Sequence, residues 1–322
     1  MRFVIFGAGA IGGVVGARLH QSGHEVVLIA RGAHLEAIRR DGLTLLTPVE
    51  RTVLELAVVG DPASVGWSGD EVVMLATNSQ DTLGALSSLR GAAGPGVVVA
   101  CLQNGVENER LALRLFEHVY GAVVMAPTGH LEPGMVEAYG SALSGMIDLG
   151  RYPHGIDDRS EQIAGALASS RFISRPVSDV MRLKHAKLLL NLGNAVQALC
   201  GPGERSDELA ELARAEGRAA LTAAGIDFVA EEVTDIGGRW RRLRVGDIDG
   251  RRRPGSSSWQ SLQRGTGTIE TDYLNGEIVL QGRLHGVPTP VNEALCRVAA
   301  RVAREGGAPG SVAAEQVLAV AA

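Results

Sequence analysis

Aromatic residues make up only 4% of this 322-residue chain, against 45% hydrophobic residues overall, so its cores must be aliphatic. The length is enough for two domains with cores of that kind. The three cysteines, Cys101, Cys200 and Cys296, are odd in number, far apart and without metal-ligand spacing. They exclude a disulfide framework and fit reduced thiols in the cytoplasm, with no metal site. No uninterrupted apolar run is long enough to cross a bilayer. The apolar start, Phe3 to Val15, is broken by Gly7, Gly9, Gly12 and Gly13 and lacks a charged leader or small-residue cleavage site, which excludes a secretory signal. A net charge of −5 with pI near 5.9 gives no reason to expect nucleic acid or a membrane as partner. The expectation is a soluble, cytoplasmic protein.

What is present begins at the N-terminus. Arg2-Phe3-Val4-Ile5-Phe6 reads as a short strand running into Gly7-Ala8-Gly9-Ala10-Ile11-Gly12, which opens a helical pattern. This is a dinucleotide-binding fingerprint: the first glycine allows the tight turn, the second lets amides approach a pyrophosphate, and the third lets helix and strand pack closely. A helix to Leu19 and a second strand, Glu25 to Ala30, complete the βαβ setting that the motif needs. Gly7, Gly9, Ala10, Ile11 and Gly12 are the cofactor contacts expected here.

About twenty positions beyond the first glycine, an acid would hydrogen-bond the ribose 2′-hydroxyl of NAD. None is present. Arg31 stands there instead, placed to meet a 2′-phosphate, so NADP (NADPH) is the expected cofactor. The plain alternative is a surface arginine. Glu71 to Ala76 and Gly96 to Cys101 read as buried parallel strands. Ligands lie beyond the carboxyl ends of such strands, which makes Thr77-Asn78-Ser79 and Gln103-Asn104-Gly105 candidate contacts by position. Asn104-Gly105 equally suits a turn.

Short β runs between Val119 and Leu149 predict an antiparallel extension, and Arg175-Pro176 marks a boundary. Residues 1–176 are expected to form a Rossmann-type, doubly wound α/β domain and residues 177–322 a mostly α-helical domain. Long helices are expected over Asp179 to Leu199, Ser206 to Ala224, Thr268 to His285 and Pro290 to Glu305, and a loop over Arg251 to Ser258. Seven arginines between Arg239 and Arg253 read as a solvated helix-loop, or alternatively as an anion-collecting rim.

On the first of those helices Lys187, Asn191 and Asn194 fall on one side, with Leu188, Leu189 and Leu190 burying the rest. A lysine facing an interdomain cleft can donate to a substrate carbonyl oxygen and protonate it as hydride reaches the carbon. A surface lysine is the bland reading, and Lys184 is expected to be one. A carboxylate partner stands in Thr268-Ile269-Glu270-Thr271-Asp272-Tyr273-Leu274-Asn275-Gly276.

With that segment the chain resembles the ketopantoate reductase family over nearly its whole length. The resemblance rests on the N-terminal fingerprint, Asn104-Gly105, the Lys187/Asn191 pair and Glu270 to Gly276. It implies NADPH-dependent reduction of 2-dehydropantoate to pantoate, a step of pantothenate biosynthesis. Lys187 is then similar to the family's general acid and Glu270 to the residue orienting it. Ser258 is similar to the serine on the substrate carboxylate, Asn191 to an asparagine on the substrate hydroxyl, and Asn104 to the asparagine near nicotinamide and lysine. There are departures. The lysine commonly assisting the NADP phosphate is Asn78 here, and the family's second helix asparagine corresponds to Ala195, with Asn194 one residue early. The implied partner is a small 2-oxo acid, and the expected assembly a homodimer. Another 2-oxo acid, a β-hydroxyacid dehydrogenase activity and a non-catalytic NADP(H) sensor remain as alternatives.

Overall fold

In the computed structural model, which describes residues 1–228, 239 and 242–322, the apolar N-terminal run is the strand β1 (Arg2–Phe6) at the centre of an eight-stranded sheet. Its neighbours are β2 (Val26–Ile29) and β6 (Glu71–Leu75), both parallel to it. Outward from β2 lies β5 (Ala57–Val59), and outward from β6 lie β7 (Val98–Cys101) and β8 (His118–Met125), all parallel. The antiparallel β11 (Gly145–Arg151) pairs with β8, and β12 (Phe172–Ile173) closes that edge. Alternate residues of β1 feed separate cores: Phe3 and Ile5 pack with Val14, Leu28 and Met74, whereas Val4 and Phe6 pack with Ile29, Leu75, Leu86 and Leu89. Burial on both faces is why these strands read as continuous apolar runs.

Helices α1 (Ala10–Gln21), α2 (Gly32–Asp41), α3 (Thr82–Ala93), α4 (Asn108–Leu113) and α5 (Asp158–Ser169) connect the strands. A second sheet of four strands joins β3 (Leu43–Leu46), β4 (Arg51–Leu54), β9 (Thr128–Gly129) and β10 (Met135–Ala138). Part of the expected antiparallel extension therefore belongs to this separate sheet. α5 starts in a capping box, Asp157 accepting from the Ser160 amide at 2.9 Å while Ser160 Oγ accepts from the Asp157 amide at 2.9 Å.

By its contacts the chain forms two units: Met1–Gln103, Glu107–Met181 and Glu231–Arg253 in one, Asn104–Val106, Arg182–Ala230 and Pro254–Ala322 in the other. The described arginines show why the segment ending at Arg253 returns to the first unit. Arg239 pairs with Asp148, a carboxylate 1% exposed on β11, and Arg251 lies 3.4 Å from Glu137 of β10. Ile248 packs with Leu46 and Tyr139. For Arg239, whose side chain is 16% exposed, the expectation of a solvated helix-loop is therefore corrected, whereas Arg251 stays solvated at 54% while meeting a buried acid. Arg241 lies outside the described residues.

The second unit is helical: α6 (Val180–Asn191), α7 (Gly193–Cys200), α8 (Glu204–Ala223), α9 (Ser257–Gln263), α10 (Asn275–His285), α11 (Pro290–Arg304) and α12 (Ala314–Ala321). α11 shows the logic. Val291, Ala294, Leu295, Val298 and Val302 recur at helical spacing and are buried, while Arg301 and Arg304 favour its last turn. A buried polar chain ties three helices together. Asn275 Nδ2 donates to the Leu192 carbonyl (3.2 Å) and Asn292 Oδ1 (2.9 Å), and Asn292 Nδ2 donates to Glu216 Oε2 (2.7 Å). Among the described residues no helix is long and apolar enough to cross a membrane.

Candidate active site

Two clusters of the expected residues can be built, one in each unit. In the first, Gly7 sits at φ +103°, and a Cβ there would lie 2.9 Å from the Ala76 and Thr77 backbone, so only glycine allows the β1–α1 turn to pass so close. A Cβ on Gly12 would come 2.0 Å from the Gly7 carbonyl oxygen, whereas one on Gly9 would meet only the His130 ring at 4.0 Å. The N-terminus of α1, where Ala10 and Ile11 stand, has no side-chain cap and no acid in its first turn. The turn thus offers backbone amides, room at Gly9 and no competing carboxylate, which fits a dinucleotide pyrophosphate. Phe6 is in register with Ile29 and Leu75, so the segments leading to Arg31 and Asn78 leave the same edge of the sheet. Both residues are exposed, and Arg31 is the N-cap of α2. Among the described residues Arg31 has no ion pair.

In the second unit Lys187 donates from Nζ to Asn104 Oδ1 at 2.5 Å. Gly105, at φ +77°, passes so close to the 3-10 turn Glu270–Tyr273 that a Cβ would lie 2.9 Å from the Tyr273 carbonyl oxygen. One short loop therefore touches both the lysine helix and the turn that carries Glu270, which is 7% exposed. One helical turn beyond Lys187, the buried Asn191 Nδ2 has no hydrogen-bond partner. The same holds for Ser258 Oγ, on a residue 1% exposed. Each such group costs on the order of 1–3 kcal/mol if left unsatisfied.

Several expectations change. The single helix over Asp179 to Leu199 is two, joined at Leu192, and Asn194 lies on α7 with its carbonyl 3.4 Å from Ser256 Oγ. Gly193 follows the junction, where a Cβ would meet the Arg214 guanidinium at 3.1 Å. Leu190 is 44% exposed and does not help bury the helix. Lys184, 3% exposed, is no surface lysine: it stands four residues from both Val180 and Leu188, each fully buried. Ser258 is on α9, whose N-cap is Ser256, so the predicted loop ends earlier. The helix expected from Thr268 begins only at Asn275, after the 3-10 turn. Gln103 and Ser79 are turned inward, Gln103 Nε2 donating to Thr82 Oγ1 at 3.0 Å and Ser79 Oγ accepting from Asn108 at 3.1 Å.

The family profile of ketopantoate reductase PanE/ApbA matches residues 3–154, and that of its C-terminal domain matches residues 179–303. The chain belongs to the ketopantoate reductase family. As a member of this family it is an oxidoreductase. A 2-dehydropantoate 2-reductase of Halobacterium salinarum is 30% identical, the match covering 95% of this chain and 100% of the relative. The crystal structure of a PanE/ApbA family ketopantoate reductase from Ralstonia eutropha JMP134 superposes with a TM-score of 0.78 at 29% identity, covering 95% of this chain and 99% of that one. A D-mandelate dehydrogenase solved with NADH and anilino(oxo)acetate gives a TM-score of 0.80 at 23% identity over 95% of this chain and 99% of that one, a likeness of fold.

Three features of this ketopantoate reductase family member escape sequence reasoning. His34 bonds the Ala8 carbonyl inside the glycine turn, His130 lies over Gly9, and Asn292 anchors Asn275. No motif singles out either histidine. Only Asn275 carried a signal, as part of the Glu270 to Gly276 segment.

Proposed function

We propose that this chain reduces 2-dehydropantoate to pantoate with NADPH, Lys187 acting as general acid. The observation that carries the reading is the Lys187–Asn104 hydrogen bond at 2.5 Å, made by a loop that also rests on the turn of Glu270. It is supported by the family membership and by the kinds of buried group left without partners.

Gly7, Gly9, Ala10, Ile11 and Gly12 hold the pyrophosphate on backbone amides, and Arg31 meets the 2′-phosphate. Asn78 supplies no charge there, which leaves the NADP preference to Arg31. When bound, the reduced nicotinamide supplies the hydride for the 2-keto carbon. Lys187 Nζ donates to the keto oxygen and gives up its proton as that oxygen becomes a hydroxyl. Asn104 holds the ammonium by its side-chain oxygen, and Glu270 orients it. Asn191 Nδ2 is a donor suited to the substrate hydroxyl, and Ser258 Oγ to its carboxylate. Asn194, beyond the Leu192 junction, is left to line the substrate region.

The test is a panel of 2-oxo acids with purified protein, following NADPH at 340 nm. Ketopantoate is expected to be turned over with a kcat/KM well above that of the other acids and with NADPH well above NADH. Turnover of a different 2-oxo acid alone would overturn the substrate, and dinucleotide binding with no turnover of any acid would overturn the reaction.

A further inference from the structure

His34 stands on the first turn of α2, three residues after Arg31, and both of its ring nitrogens are engaged. Nε2 lies 2.8 Å from the carbonyl oxygen of Ala8, which can only accept, and Nδ1 accepts from the Gly134 amide at 2.8 Å. The ring is therefore neutral and carries its proton on Nε2. Beside it, at a centroid distance of 4.3 Å, lies His130, whose Nδ1–H donates to the Met135 carbonyl at 2.9 Å.

We propose that His34 is the positioning residue of the dinucleotide site, tying the glycine turn, the N-terminus of α2 with Arg31, and the turn 130–135 into one unit through a single neutral imidazole. The inference rests on the dinucleotide reading of Gly7 to Gly12. A peptide is planar and trans, so anchoring the Ala8 carbonyl on one side sets the Gly9 N–H on the other. That N–H belongs to the glycine whose surroundings are open apart from His130. The anchor comes from α2, so the position that meets the pyrophosphate and the position that meets the 2′-phosphate are not independent.

The clamp has one state. A proton on Nδ1 would point at the Gly134 N–H, replacing an acceptor with a second donor. Burial pushes His34 below the ordinary imidazole value, outweighing the upward pull of the Ala8 carbonyl. The titratable or charged groups on the elements around it are His130 and Glu132 of the turn, Glu137 of β10, Arg31 at the N-cap of its own helix, and Glu36, Arg39, Arg40 and Asp41 within that helix. None of these forms an ion pair with the ring among the described residues.

The experiment is calorimetric titration of the full chain with NADPH and NAD⁺ for wild type, His34→Ala, His34→Gln and His34→Asn. Gln keeps a donor toward Ala8 and Asn an acceptor toward Gly134. His34→Ala is expected to weaken both dinucleotides by up to about thirtyfold, as two hydrogen bonds worth roughly 1 kcal/mol each imply, with the single-bond variants in between. The oxo-acid kcat at saturating NADPH should stay within about twofold, since no group that meets the acid is touched. NAD⁺, which has no 2′-phosphate to titrate, should bind wild type more weakly as pH falls through the His34 value, which burial holds below the ordinary imidazole one, and this slope should vanish in His34→Gln. Should the alanine variant not fold, the Gln and Asn variants carry the same test. Equal binding by wild type and variants, or an unchanged slope in His34→Gln, overturns the clamp alone. Absence of dinucleotide binding by wild type overturns the cofactor reading with it.

Discussion

Lys187 and Asn104 are joined by a 2.5 Å hydrogen bond across a sequence separation of 83 residues. The amide oxygen holds an ammonium without neutralising it, which suits a group that must keep a proton to give away.

Removing the amine tests this directly. Lys187→Ala should lower kcat about 10²- to 10⁴-fold while leaving the NADPH dissociation constant near wild type. Asn104→Ala should lower kcat about tenfold, consistent with one charge-assisted hydrogen bond. Steady-state kinetics with a parallel binding titration separates the two effects.

Gly105→Ala places a methyl group 2.9 Å from the Tyr273 carbonyl at φ +77°. The strain, on the order of 1–3 kcal/mol, should lower the melting temperature and shift the loop. A fall in kcat larger than that in Gly94→Ala, where φ is +79° but nothing lies within 4 Å, would show that the close approach matters and not the backbone angle alone.

Arg239→Ala strips the buried Asp148 of its closest cation and leaves Arg175 at 3.6 Å. Breaking such a pair from one side costs about 3–5 kcal/mol. Urea unfolding should show that loss, and Arg239→Ala/Asp148→Asn should recover much of it.

The α5 cap gives a pH prediction. Burial alone would raise the Asp157 carboxyl, but the Ser160 amide and the Tyr120 and Ser160 hydroxyls hold it below the usual carboxylate range. A depressed carboxylate contributes stability that is present above its unfolded value and is lost as pH falls through the folded one. The melting-temperature gap between wild type and Asp157→Asn should therefore be full at neutral pH and close in strong acid.

Burial also pushes the Cys296 thiol up to about 12 and that of Cys200 up to about 11. With Cys101 buried as well, the native protein should react slowly with a thiol reagent at neutral pH and release its full thiol count only in denaturant. Rapid reaction of the folded chain would contradict this.

The parallel sheet was legible because strands buried on both faces read as near-continuous apolar runs, as β7 does throughout and β1 and β6 do after their first residues, Arg2 and Glu71. The glycine turn was legible because Gly7 and Gly12 answer to backbone contacts that no other residue permits. The helix carrying Lys187 was legible, yet its break at Leu192 was not, since no residue there is a strong breaker apart from Gly193, and one glycine is tolerated within many helices. Lys184 misled for a related reason: a lysine's burial depends on which long-range neighbours cover its stem, and periodicity reports only the face. Within the arginine segment Arg239 misled because its partner, Asp148, is 91 residues away, and a charge run shows none of that.

The membership of Asn104–Val106 in the helical unit has a practical consequence for anyone dissecting this enzyme. A C-terminal fragment starting near Arg182 would contain Lys187, Asn191, Ser258 and Glu270 but would leave the lysine's acceptor on the discarded half. A cut at the start of the helical segment therefore parts Lys187 from Asn104. Any chimera that swaps helical halves between relatives must bring along a compatible tripeptide from deep inside the other half's sequence.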